Sequence, residues 1–207
     1  MSTEIGVRPL RVALAGNPNA GKSSIFNALT GGRQHVGNWP GKTVAKKEGR
    51  YHRNGLDLEI IDLPGAYSLT AFSLEEEIAR DFLLADEPDV VVSVVDATNV
   101  ERNLYLVSQI LELGMPLVVA LNMADLAADR GVDIDRDRLT ADLGCPVIPT
   151  VATTGMGIDA LAAAVADVAR SGPGIPLHLD YGWQVEDELH ALSALIGDDS
   201  ARALGRP

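Results

Sequence analysis

The chain has 207 residues, 46% of them apolar and 22% charged, a composition that excludes disordered, collagen-like and disulfide-stapled classes and suits one full α/β domain plus a remnant of a second. Seventeen Lys and Arg against 29 Asp and Glu leave a formal charge of −12, which repels phosphate backbones and argues against an extended nucleic-acid surface while leaving room for a local phosphate site. Cys145 is the only cysteine, so no internal disulfide can form and the thiol is expected to be a buried small hydrophobe.

In chain order, the apolar run Arg11–Ala15 ends at Gly16 and predicts a strand, and Ser24–Leu29 predicts a helix after an Asn- and Gly-rich turn. Val44–Tyr51 and Leu56–Ile61 flank Arg53-Asn54-Gly55, and Asn-Gly between two extended runs predicts a hairpin. Leu74, Ile78 and Phe82 share one helical face; Glu75-Glu76-Glu77 lies off it and is expected to be solvated. Val90–Val95, Leu117–Leu121 and Val147–Val151 are continuous apolar runs, as expected of strands covered by helices on both faces. These runs are far shorter than the ~20 residues of a membrane helix, and no leader opens the chain, so a soluble protein is expected. Leu104, Val107 and Leu111 form a further helical stripe, as do Ile158, Leu161, Val165 and Val168. The expected fold is α/β, with a mixed, mostly parallel six-stranded sheet. Ser171-Gly172-Pro173-Gly174-Ile175-Pro176 has linker composition. Beyond it Val185, Leu189, Leu192 and Ile196 make one amphipathic helix, read as the start of a second domain or as a helix packed back on the first. His35, His52, His178 and His190 show no metal-ligand spacing.

Gly16-Asn17-Pro18-Asn19-Ala20-Gly21-Lys22-Ser23 matches the phosphate-loop pattern, Gly, four residues, Gly, Lys, then Ser or Thr. Its glycines let backbone N–H groups turn toward phosphate oxygens, the helix that follows directs its positive end there, and Lys22 reaches the outer phosphates. Ser23 offers a hydroxyl to Mg²⁺. Asp62-Leu63-Pro64-Gly65 places Asp62 at a strand's C-terminal edge, where it can hold Mg²⁺ through water, and Gly65 offers an N–H to a terminal phosphate. Asn122-Met123-Ala124-Asp125 ends another strand at the same edge. A carboxylate at Asp125 accepts the two donors that guanine presents on one edge, N1–H and the 2-amino group. Adenine lacks both and would leave it unpaired. Asn122 is expected to tie the base loop to the phosphate loop.

These three elements in this order resemble the Ras-like phosphate-loop GTPases. His35-Val36-Gly37-Asn38-Trp39-Pro40-Gly41-Lys42-Thr43-Val44 is similar to the first switch of the ferrous-iron transport protein FeoB family, and Asp96–Leu104 and Leu121–Asp125 support that likeness. Arg11–Arg170 resembles the family's cytoplasmic G domain. The piece after Gly174 resembles the beginning of its helical domain, which in the family precedes a polytopic membrane region. The resemblance implies a G domain over residues 1–170, with linker and a truncated helical domain over 171–207. It implies a GTP-hydrolysing regulatory domain of a membrane iron transporter, on the cytoplasmic side of the bacterial inner membrane.

The nucleotide contacts so implied are Asn17, Asn19, Ala20, Gly21, Lys22, Ser23, Ser24, Asn122, Met123, Asp125, Val151, Ala152 and Thr153. Val151 stands where such GTPases usually carry serine, and the Ala152 N–H is the group nearest guanine O6. Mg²⁺ would be held by Ser23, by Thr43 when a γ-phosphate is present, and by Asp62 through water. Catalysis would rest on Lys22, Thr43, Gly65 and Asn19. Asn19 resembles the residue with which potassium-dependent GTPases hold K⁺; the alternative is that it stabilises the loop turn. Ala66 has no side chain to orient an attacking water. Trp39 either reports on the switch or packs on the domain. Expected partners are GTP, GDP and the membrane-spanning region of the same polypeptide, not nucleic acid; self-association stays open. Two other readings are a soluble GTPase of ribosome or RNA assembly, which would need a basic module, and a nucleotide sensor with little turnover.

Overall fold

Runs of apolar residues become central strands here because helices cover both faces of the sheet they build. The structure, a computed structural model, describes residues 8–85, 88–172 and 181–196. In chain order the elements are β1 (Leu10–Gly16), α1 (Lys22–Thr30), β2 (Gln34–Asn38), β3 (Ala45–Arg53), β4 (Leu56–Asp62), α2 (Leu74–Ala85), β5 (Val90–Asp96), α3 (Val100–Glu112), β6 (Leu117–Asn122), α4 (Ala124–Asp129), α5 (Arg136–Leu143), β7 (Val147–Pro149), α6 (Ile158–Ser171) and α7 (Trp183–Ile196). The strands form one sheet in the order β2-β3-β4-β1-β5-β6-β7. Neighbours from β4 to β7 pair in parallel, and β3 and β2 join at one edge through antiparallel pairings.

Alternate residues of the central strands feed two cores. Val12, Leu14, Ile60, Val92 and Val118 pack under Ile25 and Phe26 of α1 and Leu161 and Val165 of α6. Ala13, Ile61, Val91, Val95 and Val119 pack under Ile78 and Phe82 of α2 and Leu106 and Ile110 of α3. With both faces buried, the period-2 alternation carries no polar half, so these strands read as unbroken apolar runs. Asn54 and Gly55 both take positive φ, 52° and 75°, the type I′ geometry that closes the β3–β4 hairpin with Arg53 opposite Leu56. Cys145 is 6% exposed in the second core, and burial pushes its thiol pKa up to about 12.

The sheet has seven strands, not the six that apolar patterning predicts. The additional strand, β2, exposes all five of its residues; it buries no side-chain face and so leaves no periodic signal, and forms by pairing Gln34–Asn38 against Gly49–Ala45. Two short helices, α4 and α5, also lie where no helix is expected; α4 buries Ala127 and the polar α5 buries none of its residues. Of the expected linker, Ser171 closes α6 and Gly172 follows it, whereas 173–176 lie outside the described residues. In α7, Val185 and Leu192 of the expected stripe are 46% and 51% exposed. No helix among the described residues is long and apolar enough to cross a membrane.

Candidate nucleotide site

The parallel strands β1, β4, β5 and β6 end together at Gly16, Asp62, Asp96 and Asn122, the edge at which open α/β sheets bind ligands. From Gly16 the loop turns through Asn19, whose φ of 67° is a left-handed conformation that asparagine tolerates. It enters α1 at Gly21, also left-handed at φ 86° and with no side-chain cap, so the first N–H groups of α1 are directed at the loop. Ser23 and Ser24 are exposed in that first turn. The Lys22 ammonium forms an ion pair with the Asp62 carboxylate, their side chains 11% and 7% exposed. The chain after Asp62 is laid along the phosphate loop: Leu63 N–H donates to Leu14 O at 3.0 Å and Ala66 N–H to Gly16 O at 3.2 Å. A Cβ on Gly65 would come within 3.3 Å of the Pro18 ring, so a side chain there would crowd the approach.

Asn122 joins this loop to the other end of the site. Its side chain is buried; Nδ2 donates to Ala20 O at 3.1 Å, and Oδ1 accepts from Ala152 N–H at 3.2 Å and Thr150 Oγ1 at 3.5 Å. A Cβ on Gly21 would run into Asn122 Nδ2, so glycine is needed there both for its backbone angle and for this bridge. Met123 takes φ 60° and turns the chain into α4, which places Asp125 exposed in the helix's first turn. Val151 is buried, and its N–H donates to Met156 O at 3.0 Å to close a tight loop carrying Ala152 and Thr153. The Ala152 N–H, expected nearest guanine O6, is here engaged by Asn122. Asn17 is buried, donating from Nδ2 to Arg102 O at 3.4 Å, and its Oδ1 has no partner among the described residues.

Residues 17–24, Asp62, Gly65, 122–125 and 151–153 therefore line one edge. Thr43 is exposed in the loop between β2 and β3 and has no hydrogen bond among the described residues. That loop is anchored by Trp39, whose N–H donates to Val44 O and whose O accepts from Lys42 N–H, both at 3.0 Å. Trp39 packs on the domain: it is buried, meets Phe82 edge-on at 5.4 Å, and carries Lys46 Nζ 5.1 Å from its ring centroid. Lys42 pairs with Glu77 at 2.9 Å and so ties the loop to α2.

The second loop, 66–73, corrects one expectation. Glu76 is not part of a solvated face but is 8% exposed. Its Oε1 accepts from Ser68 N–H at 3.2 Å and Ser68 Oγ at 3.0 Å, and its Oε2 from Phe72 N–H at 3.1 Å. The loop folds back over the first turn of α2 and needs an acceptor where helical periodicity alone would put solvent. Two residues of α3 hold the same loop without any signal in sequence spacing. Gln109 Oε1 accepts from Leu69 N–H at 2.8 Å, and the Arg102 guanidinium sits 4.2 Å from the Tyr67 ring centroid. No group of three or more His, Cys, Asp or Glu among the described residues could hold a metal ion.

Phosphate loop, strand-end aspartate and Asn-x-x-Asp at one sheet edge define a Ras-like G domain, a GTPase-type fold. The family model for ferrous iron transport protein B matches residues 10–165, and the chain belongs to that family. It is 45% identical over 197 residues to the Fe(2+) transporter FeoB of Escherichia coli (strain K12), covering 93% of this chain and 25% of that protein. It is 51% identical over 163 residues to the Fe(2+) transporter FeoB of Salmonella typhimurium, covering 77% and 21%. The chain thus spans about a quarter of the length of the curated relatives it matches. Among solved structures, the cytosolic domain of L. pneumophila FeoB aligns with a TM-score of 0.83 at 42% identity, over 94% of this chain and 84% of that one. The GMPPNP form of the T. maritima FeoB cytosolic domain aligns at 0.87 and 44% identity, over 90% and 74%.

Proposed function

We propose that the chain binds GTP and GDP and hydrolyses GTP as the cytoplasmic regulatory part of a membrane ferrous-iron transporter, with residues 1–170 as G domain and 171–207 as linker and the start of a helical domain. The observation that carries this reading is the Asn122 bridge, a buried side chain that fixes the phosphate loop to the loop opposite the base. Phosphate and base recognition then share one rigid frame. The T. maritima relative's GDP and GMPPNP forms support it.

On nucleotide binding the Lys22–Asp62 ion pair opens. The ammonium moves to the outer phosphates and the α1 N–H groups donate to phosphate oxygens, which frees the Asp62 carboxylate; it would hold Mg²⁺ through water. Ser23, Thr43 and Asp62 present oxygen donors, the set that Mg²⁺ prefers, and the Asn19 amide oxygen with first-switch carbonyls suits K⁺. Bound there, these ions would supply positive charge against the transferring phosphoryl group. Thr43 is exposed on a loop, so its hydroxyl reaches that group only when the loop closes. Asp125 selects guanine through its two acceptors, a selection that does not depend on the engaged Ala152 N–H. Gly65 donates its N–H to the terminal phosphate.

Ala66 favours a second reading, a nucleotide sensor with little turnover, because no side chain there orients water. The experiment that separates the two is phosphate release from GTP in KCl and in NaCl at matched ionic strength. Asn19→Gly is the informative variant, since glycine keeps the left-handed turn while removing the amide. Turnover stimulated by K⁺ and lost in Asn19→Gly supports hydrolysis through a K⁺ site. Equal rates in both salts, or stimulation that survives the variant, refute that site, and no turnover in either salt leaves the sensor.

A further inference from the structure

Between Arg33 and Arg53 the chain carries six Lys or Arg and a single acid, Glu48, within a protein of net charge −12. The topology puts this whole segment at the open edge of the sheet, since β2 is the last strand and pairs only with residues 45–49 of β3. Strand β3 runs on to Arg53, paired on its inner side with β4, so no strand among the described residues covers the outer side of Arg50–Arg53. Alternate residues of such an edge direct both N–H and C=O outward. Because β2 stops short, a notch of about 760 Å³ opens between the end of α1, the turn at Gly31–Gln34 and this uncovered part of β3.

The notch is basic. Arg33, Arg50 and Arg53 line it with His35 and His52, and all five are exposed. Its two carboxylates are already matched, Glu48 with Lys46 at 2.7 Å and Glu59 with Arg11 at 3.7 Å. The three arginines have no carboxylate partner among the described residues.

We propose that this notch binds an extended acidic segment of a partner protein, which adds to the sheet beside Arg50–Arg53 in line with β2 while its carboxylates pair with Arg33, Arg50 and Arg53. Uncovered backbone groups supply the ladder hydrogen bonds, and guanidinium forks match carboxylates in a bidentate geometry, so shape and charge select the same ligand. Edge-to-edge pairing of two copies is opposed by charge, since two basic edges repel. A bilayer surface meets protruding groups and does not reach a concave strand edge. The binding does not rest on the nucleotide reading.

The test titrates the 207-residue chain against a labelled peptide of about nine residues, alternating glutamate and threonine, by fluorescence anisotropy, and follows backbone amide signals by NMR. Binding is expected that shifts the amides of Arg50–Arg53, weakens several-fold between about 50 and 300 mM salt, and fails for the lysine-for-glutamate peptide. Arg33→Glu and Arg50→Glu, both at exposed positions, should each weaken it at least about tenfold with the thermal midpoint unchanged. No binding, binding that survives both reversals, or amide shifts confined to another face would overturn the proposal. So would capture of phosphatidylserine vesicles through the same arginines with no peptide bound, which would assign the notch to lipid headgroups.

Discussion

Replacing Asn122 by alanine tests the frame on which the proposed nucleotide site stands. The side chain is 2% exposed, and its removal leaves the Ala20 carbonyl and the Ala152 N–H without their partners at 3.1 and 3.2 Å. A buried polar group left unpaired costs about 1–3 kcal/mol. Ala20 is buried and bears the full cost, whereas half-buried Ala152 can recover some hydration, so the expected loss is about 2–4 kcal/mol. For a domain of this size that corresponds to a fall in thermal midpoint of about 5–15 °C. Asn122→Asp is the sharper variant: it keeps an acceptor for Ala152 but sets an oxygen against the Ala20 carbonyl, so it should be at least as unstable as Asn122→Ala. Thermal and urea unfolding of the nucleotide-free proteins read both values. An Asn122→Ala protein within about 0.5 kcal/mol of the parent would refute the bridge as a structural element.

Glu76→Gln replaces one of two accepting oxygens by a donor, so either Ser68 or Phe72 loses its acceptor. We expect a loss of about 1–2 kcal/mol and faster native-state hydrogen exchange at those two amides, and unchanged protection would contradict the clamp. Cys145 makes stability depend on alkaline pH, because burial raises its pKa from 9.0 to about 12. The unfolded chain loses the thiol proton first, so the contribution is full below pH 9 and declines by about 1.4 kcal/mol per pH unit until the folded thiol titrates. Urea midpoints near neutral pH and near pH 10 should diverge for the parent more than for Cys145→Ala; equal divergence would exclude the thiol as the cause.

Contiguous features are legible in the sequence, and features made by folding are not. The phosphate loop is a local motif, and β1 and β5 to β7 announce themselves because each is short, apolar and bounded by turns. Asn54-Gly55 sets its hairpin's register by its own backbone preference. β2 escapes because a wholly exposed strand has no apolar half to detect. Glu76 escapes for a related reason: its position relative to Leu74, Ile78 and Phe82 is correct, but a loop from outside the helix covers it. The bridging role of Asn122 can be anticipated because it lies between two recognisable motifs. The grip of Arg102 and Gln109 on the 66–73 loop cannot, since it joins side chains that share no pattern.

Recognition of guanine by Asp125 at this edge is tested by calorimetric titration of GDP and ADP into the parent and Asp125→Asn. The parent should bind GDP and reject ADP. In Asp125→Asn the amide donates where the carboxylate accepted, so preference should pass to xanthosine diphosphate, whose 2-position carries an oxygen. Equal affinity of the parent for GDP and ADP, or an Asp125→Asn protein that keeps its preference for GDP, would contradict guanine recognition by Asp125.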